Sequence, residues 1–349
     1  MSLSPSFLSI YVFVNILAGL FFALGLGVLA ISFSRRLGLM DMPGALPHKS
    51  HTSPTPLAGG LTLVLALLSG LLLLNYGLFR SLWGVILPAL IVFGVGLWDD
   101  FRRLPAGVKL LGQVVASILL IAFGTYVRVL KPEATGLPSE LALLLNWGIT
   151  IFWVVGITNA FNLVDSMDGI VVGLAGIAIS FLVLVTAGSQ QVDLQHLLAL
   201  LLGICGGLYF YNVSPARFFL GDSGAQTIGF LLAAVAILYN PSNFPQGSSW
   251  FLPILILGVP IFDTTLVVVS RLRRRERVFR AGHDHTYHRL VAKGLDNTRA
   301  VAVMHIAAVG LGCLGFIALN LAPLYANALF VTACLAGLGC LIWLDSSRQ

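Results

Sequence analysis

Residues 142–188 read ALLLNWGITIFWVVGITNAFNLVDSMDGIVVGLAGIAISFLVLVTAG. Two apolar runs, 142–158 and 169–188, flank one polar segment from Asn159 to Asp168. A helix crosses a bilayer with about 17–25 predominantly apolar residues, so this stretch predicts two spans joined by a short polar loop.

The same alternation extends in both directions. Further runs lie near 7–33, 58–75, 82–98, 110–127, 196–211, 223–240, 250–270, 300–320 and 326–344, which makes eleven candidates. Composition agrees: of 349 residues, 58% are hydrophobic and 10% charged, whereas a soluble domain carries about 25% charged residues. The mean hydropathy is +0.94. The expected fold is an all-α, polytopic membrane helix bundle of about eleven transmembrane helices, one integral domain over 1–349. The first run is too long for the apolar region of a signal peptide and no small-residue cleavage site follows it, so it is expected to be a retained helix.

Basic residues set the expected orientation, because cytoplasmic loops near spans carry an excess of Lys and Arg. With the N-terminus outside and the C-terminus in the cytoplasm, 17 of the 20 basic residues fall inside, leaving Arg80, Arg128 and Lys131 outside. The net charge of +6 is therefore local. It suits anionic lipid headgroups or an anionic substrate, and a chain with so little soluble mass is a poor nucleic-acid binder. Cys205, Cys313, Cys334 and Cys340 all sit in apolar runs without metal-ligand spacing and read as packing residues. Gly203, Gly206 and Gly207 read as close helix contacts.

The expected outer loops, such as Arg128–Glu140 and Asn240–Ser249, hold few groups able to do chemistry. The inner loops near 34–57, 99–109, 159–168, 212–224 and 271–299 hold every cluster of carboxylates, amides and histidines. A transporter would place such groups near the midplane, on broken helices in repeated halves. No internal repeat is visible, and one composite site at the inner membrane surface is the simpler account.

Four clusters compose it. Asp99 and Asp100 end an apolar run beside Arg102 and Arg103, with Lys109 and Gln113 beyond. They could be a solvated helix stop. Alternatively, a carboxylate there binds a divalent metal or accepts a proton while Arg103 and Lys109 hold phosphate oxygens. Asn159, Asn162, Asp165 and Asp168 recur at three-residue steps, which predicts a stripe on one side of a turn. Capping of the next helix would explain Asp168 alone. Asn212, Arg217, Phe219 and Asp222 precede a helix expected from about Ala225, where the helix dipole favours anions. Asp222 with Mg²⁺ could position a diphosphate there, and Phe219 could stack on a planar base or simply pack. Finally, His283, His285, His288 and Arg289 lie in a basic segment that reads as a lipid-facing amphipathic helix, a zinc site or a phosphate site. No cysteine is near, which disfavours zinc. Asp263, roughly 12 Å from Arg271 by helical rise, is expected to face the site or pair with Lys or Arg.

In that order, Pro54-Thr55-Pro56 with Gly59-Gly60, Asp99-Asp100 with Lys109 and Gln113, Asn159 to Gly169, Phe219 to Gly224, and His283 to Leu290 resemble the polyprenyl-phosphate N-acetylhexosamine-1-phosphate transferase family. The resemblance covers about residues 48–290. It implies ten or eleven helices around a cytoplasmic cleft in the bacterial inner membrane. It also implies an enzyme that moves a sugar-1-phosphate from a UDP-N-acetylhexosamine to undecaprenyl phosphate, with UMP released and a cell-envelope glycan begun. Mg²⁺, with Mn²⁺ as an alternative, would fall on Asp222 with Asn162. Asp99 and Asp100 would serve the lipid phosphate, Asp99 as proton acceptor, and Lys109 would contact phosphate. Asn162, Asp165 and Asp168 would line the nucleotide pocket with Asn159, while Asn212 and Phe219 would meet the uracil. His283, His285, His288 and Arg289 would belong to the sugar and diphosphate end. Membrane lipid is an expected partner and a homodimer is compatible with the sequence. Two positions depart from the family pattern: its usual His-x-His-His reads His285-Thr286-Tyr287-His288, and Ser166 stands where many members have Gly. Both bear on the sugar. The short Asp100–Lys109 loop resembles the N-acetylglucosamine branch more than the phospho-MurNAc-pentapeptide translocase, which is the alternative reading.

Overall fold

The computed structural model describes residues 5–43, 53–74, 76–187, 189–241, 243–276 and 284–346. His283, and Lys49, Arg277, Arg280 and Arg348 among the 17 basic residues expected inside, lie outside the described residues. In hydrocarbon every backbone polar group must find its partner within its own segment, and the apolar runs accordingly become helices.

The chain opens with α1 (Pro5–Arg36), followed by a minimal antiparallel pair of strands, β1 (Met40–Asp41) and β2 (Thr55–Pro56), in register Met40↔Pro56. α2 (Gly59–Ser69) runs on through a π-turn at Gly70–Leu74. Next come α3 (Tyr76–Arg102), α4 (Ala106–Ala122), the single turn α5 (Pro132–Thr135) and α6 (Ser139–Val164). α7 (Ile170–Thr186), α8 (Val192–Asn212) and α9 (Gly221–Leu238) follow, then the short α10 (Gln246–Ser249) and α11 (Leu252–Ile256). The chain closes with α12 (Gly258–Arg273), α13 (Thr286–Ala292), α14 (Asn297–Leu319) and α15 (Pro323–Ser346).

All eleven apolar runs fall on helices. Among the described residues, seven helices are long and apolar enough to cross a membrane by length and composition, and an eighth if α10–α11 and α12 count as one span bent by 63°. Gly258 and Pro260 sit at that bend, where the proline lacks an N–H for the helical ladder. The remaining runs lie on shorter apolar helices, 59–74, 106–122 and 170–186. At 1.5 Å per residue, 17 residues reach only about 25 Å, less than the roughly 30 Å hydrocarbon core.

α8 and α9 form the buried centre: α1 and α7 pack on α8, while α3 and α6 pack on α9. α15 lies outermost. The α1–α8 contact depends on glycine, because a Cβ at Gly203 would lie 1.9 Å from the Ile16 carbonyl oxygen and one at Gly19 would lie 2.2 Å from that of Leu200. The expectation for Gly203 and Gly207 holds, and Gly206 makes an ordinary contact with Leu20. The bundle's two ends differ. At one, Thr150 and Asn146 secure the backbone of Val127 and Leu130, and Gln191 secures Leu238 and Asn240. Asp99, Asp100, Asp165, Asp168 and Asp222 gather at the other.

Candidate active site

The centre of the cleft is the first turn of α9. The helix was expected from about Ala225 but begins at Gly221, so Asp222 lies inside its first turn. Four N–H groups at a helix start lack intrahelical partners. No side chain of α9's own N-cap supplies one. Asp100 does so from α3: its carboxylate accepts from the Asp222 N–H (2.7 Å), the Ser223 N–H (3.2 Å) and the Ser223 hydroxyl (2.6 Å). Gly221 makes room, having φ +72° and a position where a Cβ would lie 2.7 Å from the Asp100 carboxylate. Asp100, expected at the lipid phosphate, holds the first turn of α9 at Asp222 and Ser223 in this structure.

Its neighbour Asp99 faces the cleft. Asp99 Oδ1 accepts from the Leu104 N–H at 2.6 Å, which closes the turn after α3, where exposed Arg103 adopts the left-handed conformation (φ +46°). Lys109, on the first turn of α4, donates to Asp99 Oδ2 at 3.2 Å and to Asp222 Oδ2 at 2.6 Å. All three side chains are partly exposed. Asp222 Oδ2 also meets the amides of Asn162 (3.4 Å) and Gln226 (3.0 Å). Behind it runs a buried amide chain: Gln113 donates to Gln226 at 2.9 Å, and Asn159 donates to Gln113 at 2.6 Å. Sequence reasoning gave Gln226 no role. Its signal was the i,i+4 spacing from Asp222 on one helix face.

The stripe expected over 159–168 is split. Asn159 and Asn162 belong to α6, which ends at Val164, while Asp165 to Asp168 form the turn before α7. Asp168 does not cap α7; it accepts from the Ala216 N–H at 3.2 Å, and Gly169 (φ +76°) stands at the cap. Burial pushes the Asp165 carboxyl up to about 8, with the negative charges of Asp222, Asp100 and Asp168 adding to the effect. Acids from three separated segments thus share one region.

Asn212 is 3% exposed. Its amide accepts from the Gly169 N–H (3.2 Å) and donates to the Phe218 carbonyl (3.1 Å), so it clamps the two loops together instead of offering a free edge to a base. Phe219 is partly buried, and its backbone pairs with Pro56 and Gly59, tying the start of α2 to the start of α9.

The histidine segment docks on α12 and α15. Asp263 is wholly buried and pairs with His285, neither Lys nor Arg: Asp263 Oδ2 lies 2.8 Å from His285 Nδ1, and Oδ1 accepts from the Thr286 N–H at 2.6 Å. His288 Nε2 lies 2.5 Å from the Tyr287 hydroxyl. Arg289, expected at the substrate, is 3% exposed. It donates to the carbonyls of Asp284 and Leu344, to Asp345 and to Ser270. It holds α13 against α12 and α15.

Fold and site together define a multi-pass, predominantly helical membrane protein with an acid-rich, lysine-bridged site at one end of its bundle. The glycosyl transferase family 4 model matches residues 82–240. The probable undecaprenyl-phosphate N-acetylglucosaminyl 1-phosphate transferase of Bacillus subtilis (strain 168) is 30% identical over 275 residues, covering 78% of this chain and 75% of the relative. The decaprenyl-phosphate N-acetylglucosaminephosphotransferase of Mycobacterium leprae (strain TN) is 29% identical over 318 residues, covering 82% and 77%. The phospho-N-acetylmuramoyl-pentapeptide-transferase of Levilactobacillus brevis is 33% identical over 208 residues, covering 54% and 62%. The chain belongs to the polyprenyl-phosphate N-acetylhexosamine-1-phosphate transferase family, glycosyl transferase family 4.

Proposed function

We propose that this chain transfers N-acetylglucosamine-1-phosphate from its UDP-sugar to undecaprenyl phosphate and so starts a cell-envelope glycan. The carrying observation is the Lys109 ammonium between Asp99 and Asp222. A lipid phosphate oxygen attacks the β-phosphorus of the donor, the bond from that phosphorus to the bridging oxygen breaks, and UMP leaves. Two anionic phosphates must meet, so catalysis rests on position and charge.

Asp99 is assigned to receive the proton of the lipid phosphate, and Lys109 and Arg103 to hold its oxygens. Asn159, Asn162, Asp165 and Asp168 line the nucleotide side. Phe219 meets the uracil from a segment that Asn212 steadies. His285 and His288 face the sugar and diphosphate, on a helix that Arg289 fixes. A hard divalent cation fits these residues, because Asp222, Asp99, Asn162 and Asp165 offer oxygen donors and no sulfur. No group of three or more His, Cys, Asp or Glu is poised as a ready cage among the described residues. Mg²⁺ takes one or two carboxylates together with substrate phosphates. Held by Asp222 and Asn162, Mg²⁺, or Mn²⁺ in its place, would screen the phosphate–phosphate repulsion.

The excess of basic residues in the inner loops supports a site on the cytoplasmic face of the bacterial inner membrane. The similarity to the Levilactobacillus relative keeps UDP-MurNAc-pentapeptide as a second donor reading. A donor panel with purified protein and undecaprenyl phosphate separates them: UMP release with UDP-N-acetylglucosamine is expected. Release with UDP-MurNAc-pentapeptide alone would move the assignment to the translocase reaction.

A further inference from the structure

α15 is the outermost helix of the bundle, yet its last turn reaches the histidine segment. Asp345 lies beyond residues 48–290, where the family motifs occur, and beyond residues 82–240, which the family model matches. Its side chain is 9% exposed. Oδ1 accepts from the Ser270 hydroxyl at 2.6 Å and from Arg289 Nη1 at 3.1 Å, and Oδ2 accepts from Arg273. Ser270 Oγ in turn accepts from Arg289 Nη2 at 2.7 Å. Asp345, Ser270 and Arg289 thus close a ring of three mutual hydrogen bonds that joins α15, α12 and α13.

Charge decides which bond of the ring matters most. Arg289 is buried and a guanidinium keeps its proton, so it needs a counter-charge. Among the described residues Asp345 is the one carboxylate at ion-pair distance from it. Asp284 offers Arg289 its carbonyl and gives its carboxylate to Arg271 (3.1 Å) and Arg274 (2.8 Å). Arg273 is exposed, and an exposed pair contributes little.

Asp263 and Ser270 stand seven residues apart, on one face of α12. The first holds His285 Nδ1 and the Thr286 N–H at the start of α13, and the second holds Arg289 one turn further on. α13 is therefore seated on α12 at two points, and Asp345 anchors the second. Lys293, 4.0 Å from the Trp343 ring centroid, and the cluster of Leu266, Leu341 and Leu344 keep the end of α15 beside them.

We propose that Asp345 is a positioning residue: through Arg289 it sets the seat of α13 on α12 and so the placement of His285 and His288. Resting on the transferase reading, this makes the terminal helix part of the handling of the UDP-sugar. Asp345 acts through Arg289 and touches no substrate.

The test combines kinetics on UDP-N-acetylglucosamine and undecaprenyl phosphate with hydrogen exchange of the full chain in detergent. Asp345→Asn keeps the shape and removes the charge. It should raise KM for UDP-N-acetylglucosamine about tenfold, the loss of one charge-assisted hydrogen bond. KM for undecaprenyl phosphate should stay unchanged, and amide exchange should quicken in α13 but not in α9. Ser270→Ala keeps both charges and should raise the same KM by about threefold, which keeps the test open should Asp345→Asn fail to fold. Arg289→Gln combined with Asp345→Asn should be no worse than the more impaired single variant, as expected for residues that act through one contact. Additive losses would return Arg289 to the substrate and overturn the proposal. A folded Asp345→Asn with both KM values within twofold of wild type would overturn it too, even if kcat fell, because loss of active protein lowers kcat alone. A wild type that releases no UMP from any UDP-sugar sinks the transferase reading instead. Exchange in α13 then decides the Asp345–Arg289 anchor, and rates unchanged by Asp345→Asn would refute it.

Discussion

Lys109 touches two carboxylates at once, 3.2 Å from Asp99 and 2.6 Å from Asp222, and is the residue through which α3, α4 and α9 meet. Its removal should lower kcat/KM for undecaprenyl phosphate about a hundredfold, two charge-assisted contacts at roughly 1.4 kcal/mol per factor of ten, without changing the ranking of UDP-sugars. A Lys109→Ala enzyme with an altered sugar ranking would overturn this division of roles. Asp165 gives a pH signature. Its carboxyl lies near 8 in the folded protein against 3.8 as the ordinary value, so the folded state holds the proton more tightly than the unfolded chain. The stability this contributes is fully present below about pH 4 and is lost as pH rises through about 8. In EDTA, the thermal midpoint of the wild type should fall more steeply from pH 5 to 8.5 than that of Asp165→Asn. Parallel curves would contradict it.

At the level of elements, the link between α3 and α9 organises the cleft, because Asp100 supplies the cap that α9 lacks. Asp100→Ala should cost about 0.5–2 kcal/mol, the usual value of a lost cap, seen as a lower thermal midpoint and a fall in UMP release. Asp100→Asn, which keeps an acceptor oxygen, should retain more of both. An unchanged midpoint for Asp100→Ala would remove the capping role. This link also marks the limit of what the sequence showed. The apolar runs placed every long helix but not the short α5, α10 and α13, and the polar clusters named Asp99, Lys109, Asn162 and Asp222, because hydropathy and loop polarity are local signals. Nothing local distinguishes Asp99 from Asp100, whose carboxylates part only because one helix start lies beside the second. Likewise Arg289 and Asn212 carry polar groups that read as substrate contacts. Their partners, Leu344 and Asp345 for the one and Gly169 and Phe218 for the other, lie up to 56 residues away. That the helices 59–74, 106–122 and 170–186 are the shorter ones was not legible, because composition reports apolarity better than length.

Across the whole molecule, a buried α8–α9 centre holds loops from distant parts of the chain at one end, so that Asp99, Asp165 and Asp222 share one charged region. The same packing leaves the opposite end to backbone-securing contacts such as Asn146 with Leu130 and Gln191 with Leu238. That asymmetry is what a transferase working at one membrane face requires, and it differs from the midplane site of a transporter. The most direct measurement is UMP release by purified protein from UDP-N-acetylglucosamine and undecaprenyl phosphate, with Mg²⁺ or EDTA, for wild type and Asp222→Asn. The account predicts Mg²⁺-dependent release by the wild type and none by Asp222→Asn, with both proteins eluting as the same folded species in detergent. Near-normal release by Asp222→Asn would contradict it, as would a wild type that releases no UMP and instead drives solute uptake in proteoliposomes.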